Sequence, residues 1–427
     1  GRLTDLKTVL ATSIVLGILQ QGIIWNTDSP MRGNALMAAV CAGVILLALV
    51  ARRQTFSRFD SLRETLSMGE TRPIPPELRA LKEVRIGKVI MFLLFAGFLS
   101  MIPYWFGIVT ILRISSLFVY AIVMISLVIL TGWGGQISLG QMAFFAAGAA
   151  LAGKMIVEWN LDLIPAVLFA GVFGASLSLL VGLPALRIRG LFLAVTTFAF
   201  ELAMMSYFLN GRFFDWLPSN SERVDRLPIL GRVDYTSSRG IYFVTAIALL
   251  LTLWAVHGLR QSRTGRVLVA LRDNEQGVAA YGVSVVKAKL MAFAIAGFFA
   301  GAAGALYVVH QQSFAGLTTN RLGNSVRVFI AAIVGGIGST MGAMIGSLFL
   351  FGTIWWLRGD WSIFATGFGV LTVLLIAPGG ISSLLYRFRD WILTQIAFRR
   401  DIKVPSLIAD DQIPDAPPKE EEVTNEG

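Results

Sequence analysis

Charge is what this sequence has least of. Asp, Glu, Lys and Arg make up 15% of its 427 residues, whereas a soluble globular domain carries roughly 25% to cover its water-facing surface. The deficit is concentrated: residues 114–153, 290–320, 328–357 and 361–386 contain no charged side chain at all. Each run exceeds the about 20 apolar residues that take a helix across a bilayer core, so a soluble domain is excluded. Cysteine is nearly absent too; Cys41 stands alone, which removes any disulfide framework or thiolate metal site. The two histidines, His257 and His310, lie far apart and read as span-end residues rather than ligands. There is no G-x-x-x-x-G-K-[ST], H-E-x-x-H, G-x-S-x-G or paired-carboxylate motif. No cofactor, no metal and no enzymatic reaction are therefore expected of this chain.

What is present is apolar and periodic at the scale of a membrane. Hydrophobic residues make up 55% of the sequence and the mean hydropathy is +0.70. Twelve apolar segments can be laid out, at 8–25, 35–51, 89–108, 114–131, 141–157, 163–183, 190–209, 241–257, 288–308, 324–334, 341–357 and 362–377. Alternating ten-residue strands are missing, so the fold class is all-α: a polytopic transmembrane helical bundle of about ten core spans plus two N-terminal spans. Starting from a cytoplasmic N-terminus places 25 of the 36 Lys and Arg residues inside and 11 outside, the bias expected of cytoplasmic loops. The net charge of +10 is thus a sidedness signal, and no nucleic-acid partner is expected. The expected domains are two N-terminal spans (1–53), a basic cytoplasmic linker (54–88), the main transmembrane domain (89–385) and a cytoplasmic tail (386–427). That tail is acidic and disordered at its end. A polar external loop at 210–240 has room for a short hairpin.

Glycine interrupts the apolar pattern twice in a related way. Gly134-Gly135-Gln136-Ile137-Ser138 and Gly335-Gly336-Ile337-Gly338-Ser339 both read Gly-Gly-x-x-Ser, 201 positions apart. Paired Gly-interrupted segments in two halves of a transporter point to discontinuous helices beside a substrate pathway; close helix packing is the alternative. The polar Gln136, Ser138 and Ser339 beside the glycines favour the pathway, which Gln141 would extend. Gly297-x-x-x-Gly301 and Gly342-x-x-x-Gly346 read as packing seams. Glu201 sits in the middle of an apolar span, where an unpaired carboxylate is costly. It is either a pathway or gating residue or an inter-helix hydrogen-bonding group. The sharpest feature is the long mixed-charge loop 261–289, amphipathic at first and ending in Ala279-Ala280-Tyr281-Gly282. Short helices followed by a small-residue turn suit docking into a groove of a soluble partner; binding to anionic lipid headgroups is the alternative.

Five stretches carry a resemblance. Gly-Trp-Gly-Gly-Gln-Ile-Ser-Leu-Gly-Gln-Met-Ala-Phe-Phe (132–145), Leu-Arg-Ile-Arg-Gly-Leu-Phe-Leu-Ala-Val-Thr-Thr-Phe-Ala-Phe-Glu (186–201) and Thr-Gly-Arg-Val-Leu-Val-Ala-Leu-Arg-Asp-Asn-Glu (264–275) resemble LivM-type permease subunits of branched-chain amino-acid ABC importers. So do residues 289–307 and 335–346. The resemblance implies a sister permease, two cytoplasmic ATPase subunits, an extracytoplasmic substrate-binding protein and a lipid environment in a prokaryotic plasma (inner) membrane. The chain would be multi-pass with both termini cytoplasmic. It also implies that Gly265, Arg266, Arg272, Asp273, Asn274, Glu275, Ala279, Ala280 and Gly282 form the loop that couples to the ATPase. Two features depart from the family: Gln141 stands where His is common, and residues 1–60 look similar to the last spans of the sister LivH-type permease. Urea and short-amide importers share much of the pattern. A stand-alone secondary transporter would need coupling-ion sites, for which Glu201 is the lone intramembrane acid.

Overall fold

The computed structural model describes residues 6–27, 29–51, 82–185, 190–211, 223–229, 234–314, 324–357, 360–377 and 379–399, with isolated positions at 213–214, 217 and 231–232. Most of the basic linker and the acidic end of the tail therefore lie outside the described residues. The chain divides into two compact units, one formed by 1–70 with 102–382 and one by 71–101 with 383–427. The second unit holds most of α3 (Lys82–Trp105) and nearly all of α15 (Ile381–Arg399). Lys82–Lys88, expected as linker, already belongs to α3.

The first unit holds α1 (Leu6–Trp25), α2 (Pro30–Ala51), α4 (Ile108–Leu127), α5 (Gln141–Trp159), α6 (Leu163–Ala185), α7 (Leu191–Ala203) and α8 (Ser238–Gln261). These are followed by α9 (Arg263–Asp273), α10 (Glu275–Ala280), α11 (Val285–Gln311), α12 (Asn324–Gly335), α13 (Thr340–Trp356) and α14 (Asp360–Ile376). Five helices are long and apolar enough to cross a membrane: Ile108–Trp133, Gln141–Trp159, Leu163–Pro184, Ser238–Gln261 and Val285–Gln311. Several shorter apolar helices accompany them. Helix is the outcome physics imposes here, because in hydrocarbon every backbone N–H and C=O must find its partner within the segment. Among the described residues there is no sheet; Arg223 and Ser313 form an isolated bridge.

The core is built around α4, whose residues from Ser115 to Leu127 are all buried. It packs against α8, α11 and α13, while α11 also runs along α5 and α6. These last contacts depend on small residues. A Cβ at Gly148 would fall on the backbone of Gly301, and one at Gly301 on the carbonyl of Ala170. The Ser178 hydroxyl donates to the Phe293 carbonyl at 2.7 Å across the same seam. Gly297-x-x-x-Gly301 is thus a packing seam, as its spacing suggests. At the other side of the unit α2 lies along α7 and the turn that follows it.

The hairpin expected in the polar loop before α8 falls partly outside the described residues. Among those described, the Val224 N–H donates to the Gln312 carbonyl at 3.1 Å, joining the loop to the end of α11. Arg226 completes the strap. Its guanidinium donates to the carbonyls of Val309 at 3.2 Å, His310 at 2.8 Å and Thr236 at 2.8 Å. A helix C-terminus offers unpaired carbonyls and a partial negative charge, which is what a buried cation needs. Burial still draws the Arg226 pKa below its ordinary value.

Candidate functional site

The first glycine segment begins where α4 loses its regular winding. Val128–Trp133 is a π-helical turn, and the chain from Gly135 to Gly140 is non-helical before α5 starts at Gln141. Such turns insert a residue into a helix and occur often at functional sites. The freed backbone is satisfied locally. The Thr131 hydroxyl donates to the Gln136 carbonyl at 2.9 Å, and the Gln136 side-chain amide donates to the Gly134 carbonyl at 3.2 Å. The Leu139 N–H donates to the Thr197 hydroxyl of α7 at 2.9 Å. Gln136, Ser138 and Gln141 are all buried.

The second segment joins α12 to α13. Gly336 adopts a φ of +110°, open to glycine and strained for any L side chain. It packs against Gly379, Gly380 and Ser382. Ser339 caps α13, its hydroxyl accepting from the Gly342 N–H at 2.9 Å, which satisfies one of the unpaired donors of the first turn. The fold brings the two segments into contact. A Cβ at Gly132 would collide with the Ile337 carbonyl, and the Trp133 indole N–H donates to the Gly338 carbonyl at 3.2 Å.

Glu201 is 4% exposed, and its Oε2 has no hydrogen-bond partner among the described residues. The Ser325 hydroxyl of α12 faces this carboxyl without closing a hydrogen bond. One turn earlier on α7, Thr197 touches the first glycine segment; its carbonyl lies where a Cβ on Gly140 would sit. Just past Glu201, Met204–Phe208 is a second π-helical turn. Gln141 donates to the Ser126 hydroxyl of α4 at 2.8 Å while its Oε1 is likewise buried without a partner. Buried unpartnered acceptors are rare in folded proteins and ask for a reason.

The loop 261–289 folds into two short helices, each opened by a side-chain cap. Ser262 accepts from the Gly265 N–H at 3.2 Å to start α9, and Asn274 accepts from the Gly277 N–H at 2.8 Å to start α10. Gly265 sits where a Cβ would press on the Leu259 carbonyl, so the turn out of α8 is tight. Glu275 pairs with Lys289 of α11 at 3.0 Å, with both side chains largely buried. Arg266 donates to the Gln261 carbonyl at 2.8 Å. Ala279, Ala280, Tyr281 and Gly282 remain exposed, Tyr281 at 90%.

Arg272 links this loop to the glycine segment. Its guanidinium donates to the Gly132 carbonyl at 3.1 Å and to Asp273 at 2.8 Å, and its aliphatic stem lies against Gly135, which has a φ of +65°. Arg260 places its guanidinium 5.5 Å from the centre of the Trp133 ring. Nothing in the sequence pattern singles out Trp133, Arg260 or Thr197 individually. What signal there is lies in an indole N–H beside two glycines, inside an apolar run, since a buried indole needs an acceptor. Among the described residues no group of three or more His, Cys, Asp and Glu could hold a metal ion.

Comparison with known proteins agrees with this architecture. Residues 108–376 match the family described as branched-chain amino acid transport system / permease component. The chain is 27% identical over 254 residues to the high-affinity branched-chain amino acid transport system permease protein LivM of Salmonella typhimurium, covering 54% of this chain and 60% of that protein. It is 27% identical over 225 residues to a probable LivM of Methanocaldococcus jannaschii, covering 51% and 62%. A third relative, the autoinducer 2 import system permease protein LsrC of Enterobacter sp., is 26% identical over 239 residues, covering 53% and 67%. The matched part thus spans about 60% of the Salmonella protein's length. No solved structure matches the chain. With the family model extending from α4 through α14, this chain belongs to the branched-chain amino acid transport system / permease component family.

Proposed function

We propose that this chain is a membrane-spanning permease subunit of an ATP-driven importer, carrying branched-chain or related hydrophobic amino acids by alternating access. The observation that carries the reading is the α9–α10 pair. It is capped at both starts, anchored by the buried Glu275–Lys289 pair, exposed at Ala279–Gly282, and tied through Arg272 to the first glycine segment. An element with an exposed small-residue end and a rigid inner attachment is suited to transmit force from a soluble partner. Family membership agrees, as do the names of the LivM relatives. The partners would be a sister permease, two cytoplasmic ATPases and an extracytoplasmic binding protein.

On this reading the two glycine segments are breaks between spans at a common depth. Gln136, Ser138, Gln141, Glu201 and Ser339 stand at or near the path, and transient polar contacts would suffice, because a pathway must release what it holds. Ten core spans (89–385) and two N-terminal spans (1–53, similar to the end of a sister permease) place both termini in the cytoplasm of a prokaryotic inner membrane. A second substrate reading has an observation of its own: the LsrC relatives, named for autoinducer 2 import, match at nearly the same identity. Urea or a short amide is a further alternative within the family.

The test is uptake into membrane vesicles holding the assembled importer, with radiolabelled leucine as probe. Uptake should stop when ATP hydrolysis is blocked and the ion gradient is left intact. Persistent uptake would establish the rival, a stand-alone secondary transporter. Arg272→Glu and Gly282→Pro should each abolish ATPase attachment or transport while membrane insertion is retained.

A further inference from the structure

We propose that Trp133 is a positioning residue that staples the two glycine segments together, so that a displacement of α9 moves both as one body. The inference rests on the importer reading above and deepens it. Four contacts form an unbroken line. The Arg272 guanidinium holds the Gly132 carbonyl at 3.1 Å. Gly132 meets the Ile337 carbonyl so closely that no side chain fits between them. The Trp133 indole N–H donates to the Gly338 carbonyl at 3.2 Å. Its ring is covered by the Arg260 guanidinium at 5.5 Å, from the last turn of α8 that leads into α9.

Three of these contacts fall on backbone that departs from regular α-helix. Val128–Trp133 is a π-helical turn and Gly336–Ser339 is the link between α12 and α13. These are the places where a bundle can bend at low cost. Coupling between distant sites needs elements that shift together through physical contact. Without the indole bond, 132–135 would follow α9 through Arg272 while 337–338 would be held only by packing. Arg272 and the glycines alone therefore explain attachment of the docking loop to the first half of the chain. Trp133 supplies a directional bond onward to the link between α12 and α13. The aromatic ring contributes shape and a surface for Arg260, and the N–H contributes the directional link, so the two can be separated by substitution.

The experiment uses the complete reconstituted importer and reads leucine imported per ATP hydrolysed. Trp133→Phe keeps a ring beneath Arg260 and removes the N–H. It should leave assembly and ATP hydrolysis near those of the unmodified chain and lower the transport-to-hydrolysis ratio about fivefold, the effect of one neutral hydrogen bond. Trp133→His, which restores a ring N–H, should recover part of that ratio. An unchanged ratio in Trp133→Phe, beside ATP-driven uptake by the unmodified chain, overturns the staple alone. Failure of both variants to assemble also overturns it, because the indole would then serve the fold rather than the transfer of motion. ATP-independent uptake by the unmodified chain overturns the importer reading and the staple with it.

Discussion

At Gly301 a single methyl group separates two outcomes. The α11 backbone there lies so near the Ala170 carbonyl that an added Cβ must push the helices apart. Gly301→Ala should therefore lower stability by about 1–3 kcal/mol, the usual cost of overpacking, seen as a reduced melting temperature in detergent. Gly17 of α1 has nothing within 4 Å of its Cβ position, so Gly17→Ala should be neutral or slightly stabilising through helix propensity. Glu201 permits a sharper decision. Glu201→Leu removes a buried acceptor that lacks a partner among the described residues, which favours the fold by about 1–3 kcal/mol. If Glu201 serves the pathway, the variant melts higher and imports less. A lower melting temperature with intact import would assign it to holding the bundle. Ser339 shows how a site candidate can have a plain structural use, since its hydroxyl is engaged in capping α13.

At the scale of elements, α10 is held by electrostatics where its length could not hold it. Six residues are too few for an independently stable helix. Its cap at Asn274 and the Glu275–Lys289 pair fix it to α11. Breaking a buried pair from one side leaves an uncompensated charge, at a cost of about 3–5 kcal/mol. Glu275→Ala should thus reduce thermal stability and, on the importer reading, release the ATPase subunits on purification. Glu275→Leu combined with Lys289→Met should restore stability, because an apolar replacement of both partners removes the stranded charge. A melting temperature in Glu275→Ala equal to that of the unmodified chain would show that the pair contributes nothing to anchoring α10. Amphipathicity and mixed charge made this loop stand out in the sequence. Its tether to Lys289 was illegible there, since a lysine at a span start reads as an interfacial residue.

For the molecule as a whole, the arrangement of charge along the chain predicts which loops lie on which side of the bundle. On a Cys41→Ser background, Tyr281→Cys should react with a membrane-impermeant maleimide from the ATPase side only. Arg232→Cys, in the polar loop before α8, should react from the opposite side only. Both are exposed positions, and labelling of both from one side would overturn the assigned topology. The strap formed by Arg226 gives the loop a defined seat on the end of α11, so its accessibility can be read against a fixed backbone.

The sequence by itself determined the class of this protein. Runs free of charge fixed the material as membrane-spanning helix, because hydrocarbon leaves the backbone no other partner, and five motifs in order pointed to the family. Sequence spacing also singled out the mixed-charge loop 261–289 and the Gly297–Gly301 seam, since both depend on local pattern. Tertiary structure alone decided which distant segments touch. That Gly132 rests on Ile337, that Trp133 donates to Gly338, and that Arg272 reaches back to the first glycine segment depend on helices widely separated in the chain. No periodicity records such pairings. Backbone carbonyls accept these bonds, and every residue carries the same carbonyl, so the sequence shows the donors but not where they land.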